Sequence, residues 1–120
     1  MFPTYKVTNY STTANGGVWS TITIPTGMAT GSYIVQVKVN GTTFTNEFFT
    51  GTMSYSSAAV GATESDSDEV FLHAAGSGLS GERIYMRTRR VASGSVVIEI
   101  CASCNLTSSD VFNITFRRMI

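Results

Sequence analysis

Ile84-Tyr85-Met86-Arg87-Thr88-Arg89-Arg90-Val91-Ala92-Ser93-Gly94-Ser95-Val96-Val97-Ile98-Glu99-Ile100-Cys101-Ala102 is the stretch on which the fold turns. Apolar residues recur at every second position on both sides of Ser93-Gly94-Ser95, and that period places successive side chains on opposite faces of a pleated strand. Two antiparallel strands follow, with Ile84, Met86, Ile98 and Ile100 on one inner face. With Gly94 in the left-handed conformation of a three-residue loop, Ala92 is expected to pair with Val96 and Arg90 with Ile98. Arg89 then lies opposite Glu99 and Arg87 opposite Cys101. A two-residue turn would instead set Arg89 and Arg87 against Ile98 and Ile100, stranding charge on the apolar face, so sidedness rejects it.

Working outward, the same period recurs through most of the chain. A short extended lead near Tyr5 and Val7 precedes the turn Asn15-Gly16-Gly17. Val18 to Ile24 then reads as a strand that Pro25 ends by withholding a ladder donor. Tyr33, Val35, Val37 and Val39 alternate with Ile34, Gln36 and Lys38, and Asn40-Gly41 suits a type I′ hairpin turn, after which a strand begins near Thr43. Phe44 and Phe48 share a face that Phe49, Met53 and Tyr55 leave, so a bulge or bend is expected between Phe49 and Gly51. Ser56 to Asp68 reads as a surface loop, Val70 to Ala74 as a short strand and Gly76 to Gly81 as a connection. Val111 to Arg118 is the last strand.

Eight or nine short strands with turn signals at regular intervals and no helical pattern between them predict one all-β domain over residues 1–120. Its expected form is an antiparallel β-sandwich, jelly-roll-like. Composition agrees: 15 serines, 17 threonines, 11 glycines and six asparagines stand against two prolines, a mixture that disfavours helix interiors and supplies turns and wet strand faces. Eight basic residues cancel eight acidic ones. No global field therefore holds the chain on nucleic acid or an anionic membrane, and recognition is local. No apolar run approaches the roughly 18 residues of a spanning helix. Met1 to Lys6 lacks the basic start and apolar stretch of a secretory signal, which predicts folding in the cytosol, with Cys101 and Cys104 as thiols.

Several short motifs have simpler explanations than chemistry. Gly76-Ser77-Gly78-Leu79-Ser80-Gly81 matches G-x-G-x-x-G, but a strand rather than a helix follows it, and a dinucleotide site needs the helix amino end. Cys101-Ala102-Ser103-Cys104 has C-x-x-C spacing, yet a structural zinc needs four ligands and only His73 remains to join them. Glu64, Asp66, Asp68 and Glu69 could gather a hard cation but lack the EF-hand order, and a solvated loop explains them. The N-x-S/T triplets at Asn9, Asn40, Asn105 and Asn113 follow from the abundance of Ser and Thr. With one imidazole and neither a nucleophile elbow nor H-E-x-x-H, no catalytic residue, metal or cofactor is assigned.

The candidate ligand-binding residues are Tyr85, Arg87 and Arg89, which project together from the outer face of the hairpin, and Trp19. Arg forks hold carboxylate or phosphate at two points and an aromatic ring stacks on a pyranose face, so this surface suits an anionic glycan. The competing expectation is that Arg89 pairs with Glu99 across the strands and the remainder covers a subunit neighbour. Alternation sets Trp19 with Thr21 and Thr23, away from Val18, Ile22 and Ile24, as a subunit interface or a ligand platform would use it.

In style, Val18-Trp19-Ser20-Thr21-Ile22-Thr23-Ile24-Pro25, the Gly/Ser break into Tyr33-Ile34-Val35-Gln36-Val37, Val96 to Ile100 and the last strand Phe112-Asn113-Ile114-Thr115-Phe116 resemble the carboxy-terminal receptor-binding domains of bacteriophage tail fibres and tailspikes. The resemblance implies the C-terminal part of a longer fibre protein. It implies a homotrimeric head that touches a bacterial surface polysaccharide or protein without cleaving bonds, assembled in the host cytoplasm and carried on the virion. Two alternatives are a hydrolase or lyase acting on the same glycans and a purely structural capsid or spike-stabilising domain.

Overall fold

A computed structural model of the chain describes residues 3–55, 67–70, 83–90 and 96–119. Among them are eight strands and no helix: β1 (Thr4–Tyr10), β2 (Ser20–Ile22), β3 (Gly31–Asn40), β4 (Glu47–Tyr55), β5 (Ser67–Val70), β6 (Ile84–Arg90), β7 (Val96–Ala102) and β8 (Val111–Arg118). They form two four-stranded sheets, β1-β8-β3-β4 and β2-β7-β6-β5, in which all pairings are antiparallel. The sandwich expected from the alternation is thus the observed architecture. β1 lies beside β8 and β2 beside β7, so the two ends of the chain nest as in a jelly roll, while β3–β4 and β6–β7 are neighbours in sequence as well as in space.

The core is the meeting of the two inner faces. Tyr33, Val35, Val37, Val39, Phe112, Ile114 and Phe116 from the first sheet pack with Ile22, Ile84, Met86, Ile98 and Ile100 from the second, all buried. Each such side chain contributes roughly 1.5–3 kcal/mol by leaving water. Phe44, Met28 and Leu106 add buried side chains from outside the strands.

Several local expectations need correction. β6 and β7 pair Arg90 with Val96, Thr88 with Ile98, Arg87 with Glu99 and Tyr85 with Cys101, two residues away from the expected register. A shift of two leaves every side chain on its face, so Ile84, Met86, Ile98 and Ile100 are inside as expected. Arg87, rather than Arg89, meets Glu99, and Arg87 also stands opposite Glu69 of β5. A cation between two carboxylate positions is the better solution on the outer face. The expected Ser93-Gly94-Ser95 loop lies outside the described residues.

Asn40-Gly41 does not form a two-residue turn. β4 starts at Glu47, residues 41–46 make the connection, and the Gly41 amide donates to the Phe44 carbonyl at 2.6 Å. Gly41 is instead required by close approach: a Cβ there would collide with the Ser109 carbonyl and Asp110 Cα. The bulge expected between Phe49 and Gly51 is absent, because β3 and β4 pair without interruption from Gly31↔Tyr55 to Val39↔Glu47. Phe44 reaches the core from the connection, which leaves Phe48 as the one large apolar side chain on the outer face of β4, 59% exposed. β1 extends to Tyr10 and β2 is confined to Ser20–Ile22, so the lead was longer and the next strand shorter than alternation implies. Asp68 and Glu69 belong to strand β5 rather than to a loop. The Gly76–Gly81 segment, His73, Glu64 and Asp66 lie outside the described residues.

Candidate functional site

On the outer face of the second sheet, the structure brings three of the four expected residues together. Tyr85 and Arg87 lie two residues apart on β6, and Trp19 immediately precedes β2. Arg87 Nε donates to Glu99 Oε1 at 2.8 Å, and its guanidinium carbon lies 4.1 Å from the centroid of the Trp19 ring. A guanidinium stacked on an indole and paired with a carboxylate is held on two sides at once. The side chains of Arg87 and Glu99 are 18% and 6% exposed, so the pair is largely withdrawn from solvent. Arg87 thus spends its charge inside the protein, tying β6 to β7 and fixing Trp19 over them. The pairing expected of Arg89 is made by Arg87; Arg89 stands opposite Val97 in the register. Cys101, opposite Tyr85, is a buried free thiol. Burial pushes its pKa up, against smaller opposing effects of Arg87 and the Gly17 amide, which keeps it unreactive.

The outer face of the first sheet carries a different arrangement. A groove of about 530 Å³ is lined by Lys38, Asn40, Gly41, Asn46, Ser109, Val111 and Asn113, within the roughly 300–1,000 Å³ usual for small-ligand sites. Lys38 sits in register between Asn113 of β8 and Phe48 of β4, and Asn40 opposite Val111. Asn113 Oδ1 accepts the Asn9 amide at 3.0 Å, at the irregularity where β1 shifts register and Asn9 takes a φ of 54°. Asn40 Oδ1 accepts the Asn46 amide at 3.0 Å, with Asn46 itself left-handed at φ 50°. Asparagine tolerates that conformation better than most residues. Each amide oxygen thus accepts one backbone hydrogen bond, which fixes the orientation of the amide and leaves its Nδ2 as a donor toward a ligand.

Beneath the groove lies Asp110, fully buried. Its Oδ1 accepts the Thr43 amide at 2.8 Å and the Phe44 amide at 3.4 Å. Its Oδ2 accepts the Thr43 hydroxyl at 2.9 Å and the Thr107 amide and hydroxyl at 3.0 and 3.1 Å. Burial alone would raise its pKa, but the hydrogen bonds from Thr107, Thr43 and Phe44 outweigh burial and hold it below the usual aspartate value. The carboxylate is a clasp between the 41–46 connection and the 107–110 turn. Thr42 and Thr107 hydroxyls add a contact at 3.0 Å. Gly41 and Ser109, one from each clasped segment, both line the groove, so its shape depends on Asp110.

Alternation along β6 and β2 marked Trp19, Tyr85 and Arg87, and missed the groove. The one sequence signal near it is Phe48, a large apolar residue of the wrong parity in its strand, which stands across from Lys38 without lining the groove. Among the described residues no three His, Cys, Asp or Glu side chains gather as a metal site would require. Fold and site together define a small two-sheet β-sandwich with a polar groove on one outer face. No protein-family model, curated protein or solved structure matches the chain, so the chemistry of the groove rests on its own geometry.

Proposed function

We propose that the chain is a non-enzymatic recognition module that attaches a larger assembly to a bacterial surface polysaccharide or protein. It works in the manner of a trimeric phage tail-fibre head carried on the virion, and the groove of the first sheet holds its receptor. The observation that carries this reading is the groove itself, which presents ammonium, amide and hydroxyl groups from paired strands and a clasped turn, beside a solvent-facing phenyl ring. Those groups hold oxygen-rich ligands. Among the described residues the lining holds no imidazole or carboxylate to serve as the acid and base that bond cleavage requires. Strand-borne side chains keep such donors in fixed geometry, which recognition needs more than mobility. Val18, exposed, and Ile34, half-buried on an outer face, are apolar surface that a trimer would cover.

The test is a bacterial glycan array read beside mass in solution by light scattering. Expected are saturable polysaccharide binding without release of reducing ends and a trimer mass at micromolar concentration. Release of reducing ends would replace this function with polysaccharide cleavage. A monomer that binds no surface glycan or receptor protein would refute it.

A further inference from the structure

We infer that the ligand of the groove is an acidic saccharide, a sugar chain bearing ring carboxylates, with one carboxylate at Lys38 and a sugar ring against Phe48. This rests on reading the groove as the binding site, and goes further by fixing the ligand's chemistry. The first support is segregation of charge. The chain is neutral overall, yet the outer face of the first sheet carries Lys6, Lys38 and Arg117, all exposed. The registers put Lys6 on the row of Thr115, Gln36 and Thr50, and Arg117 on the row of Ile34 and Thr52. Among the described residues no carboxylate stands on that face: Glu47 is opposite Val39 on the inward parity, Asp110 is buried, and Glu99 belongs to the other sheet. A neutral protein with one locally cationic face draws anions to that face.

The second support is the donor bias of the groove. Asn40 and Asn113 each use one acceptor position of the oxygen on a backbone amide, which fixes their Nδ2 groups as donors beside Lys38, and a ligand rich in acceptors satisfies them. The third is Phe48, directly across from Lys38 in the register and 59% exposed. A lone exposed ring is ordinary on a protein surface. This one stands across β3 from Asn113, about 10 Å away at two strand spacings, with Lys38 between them in the register. That spacing lets one end of a short oligosaccharide lay its C–H face on the ring while its acidic group and hydroxyls meet the donors. A single-stranded nucleic acid would ask for successive stacking rings along a cationic track, whereas this face offers one ring and directional amides. Among the described residues no guanidinium fork lines the groove to favour two-point capture of phosphate.

The experiment is a titration of the isotope-labelled full chain, following amide and side-chain resonances. The four probes are trigalacturonate, its carboxyl-reduced neutral counterpart, mannose 6-phosphate and a ten-residue oligothymidylate. Trigalacturonate is expected to move Asn40, Asn46, Ser109 and Asn113 saturably, and the neutral trisaccharide to bind about tenfold more weakly, the size of one charge-assisted hydrogen bond. Lys38→Gln should bring the two sugars to the same affinity, and Phe48→Ala should weaken both. Both side chains are exposed, so an unchanged Tm in each variant separates lost binding from lost folding. Equal binding of acidic and neutral sugars, or preference for mannose 6-phosphate, overturns the carboxylate inference and leaves the groove as the binding site. If only the oligothymidylate moves these resonances, or no probe does, the inference and the assignment of the groove fall together.

Discussion

Replacing Asp110 by alanine tests whether the clasp holds the groove. The substitution removes the acceptor for the amides of Thr43, Phe44 and Thr107 and for two threonine hydroxyls. The hydroxyls can rotate to other partners, and Thr107 is at the surface, where water replaces the carboxylate. The Thr43 and Phe44 amides lie deeper, and a buried donor left unsatisfied costs about 1–3 kcal/mol. The longer Phe44 bond warrants the lower end, so the expected loss is about 3 kcal/mol. Against a total stability of order 5–15 kcal/mol, that is a large share. In urea denaturation it should appear as a lower midpoint with an unchanged slope, and in calorimetry as a fall in Tm of roughly 12 °C, at about 4 °C per kcal/mol for this size. The pH dependence has a definite sign. The folded pKa lies below the unfolded one, so the stabilisation is complete above the ordinary aspartate value near ~4 and is lost as pH falls through the lowered value. The wild type should lose its advantage over Asp110→Asn across that acidic range. A loss under 1 kcal/mol for Asp110→Ala, or an acid profile identical to that of Asp110→Asn, would refute the clasp.

Gly41→Ala should cost about 1–3 kcal/mol, because its Cβ meets the Ser109 carbonyl and Asp110 Cα; a stability equal to wild type in urea would remove the close-approach explanation of this glycine. Glu99→Gln keeps an acceptor for Arg87 Nε but deprives a largely buried guanidinium of its counter-charge, so a loss of about 1–2 kcal/mol and a changed Trp19 fluorescence are expected, and unchanged emission would mean that Arg87 does not hold the indole. Under native conditions iodoacetamide should label half-buried Cys104 well before buried Cys101, which peptide mass spectrometry resolves; the reverse order would contradict the burial of Cys101.

The two-sheet fold was legible because it needs only parity. A hydrophobic period of two says which face of β3, β6, β7 and β8 is inward, and a pairing register wrong by two residues leaves that answer intact. The register itself was not legible. Arg87 and Arg89 each make a sound partner for Glu99, and the observed choice also sets Arg87 against Trp19, which lies far away in the sequence just before β2. Asn40-Gly41 failed for a related reason. Local turn chemistry is a property of neighbours, but Gly41 is constrained by Ser109 and Asp110, more than 60 residues away in the chain, and the tertiary demand wins over the dipeptide's preference for a tight turn.

The groove was hidden by the same logic. Its walls come from residues 38–46 and 109–113, joined only once β3 pairs with β8 and Asp110 accepts the amides of both segments. Polar asparagines scattered through a Ser/Thr-rich chain carry no sign that they will converge, and those at 40 and 113 gained meaning only when backbone donors were found on their oxygens. Phe48 was the visible clue. The apparent break in alternation around it invited a bulge, since a strand that must bury Phe44 and Phe48 on one side and Phe49 and Met53 on the other cannot be regular. The conflict dissolves once Phe44 is assigned to the connection: the strand is regular, and its odd residue is left facing water beside Lys38. A large apolar side chain that a regular strand turns outward has no role in the core. Exposure alone assigns it nothing, but its place across from Lys38 sets it beside the donors of the outer face, and the Phe48→Ala titration measures whether it meets what they bind.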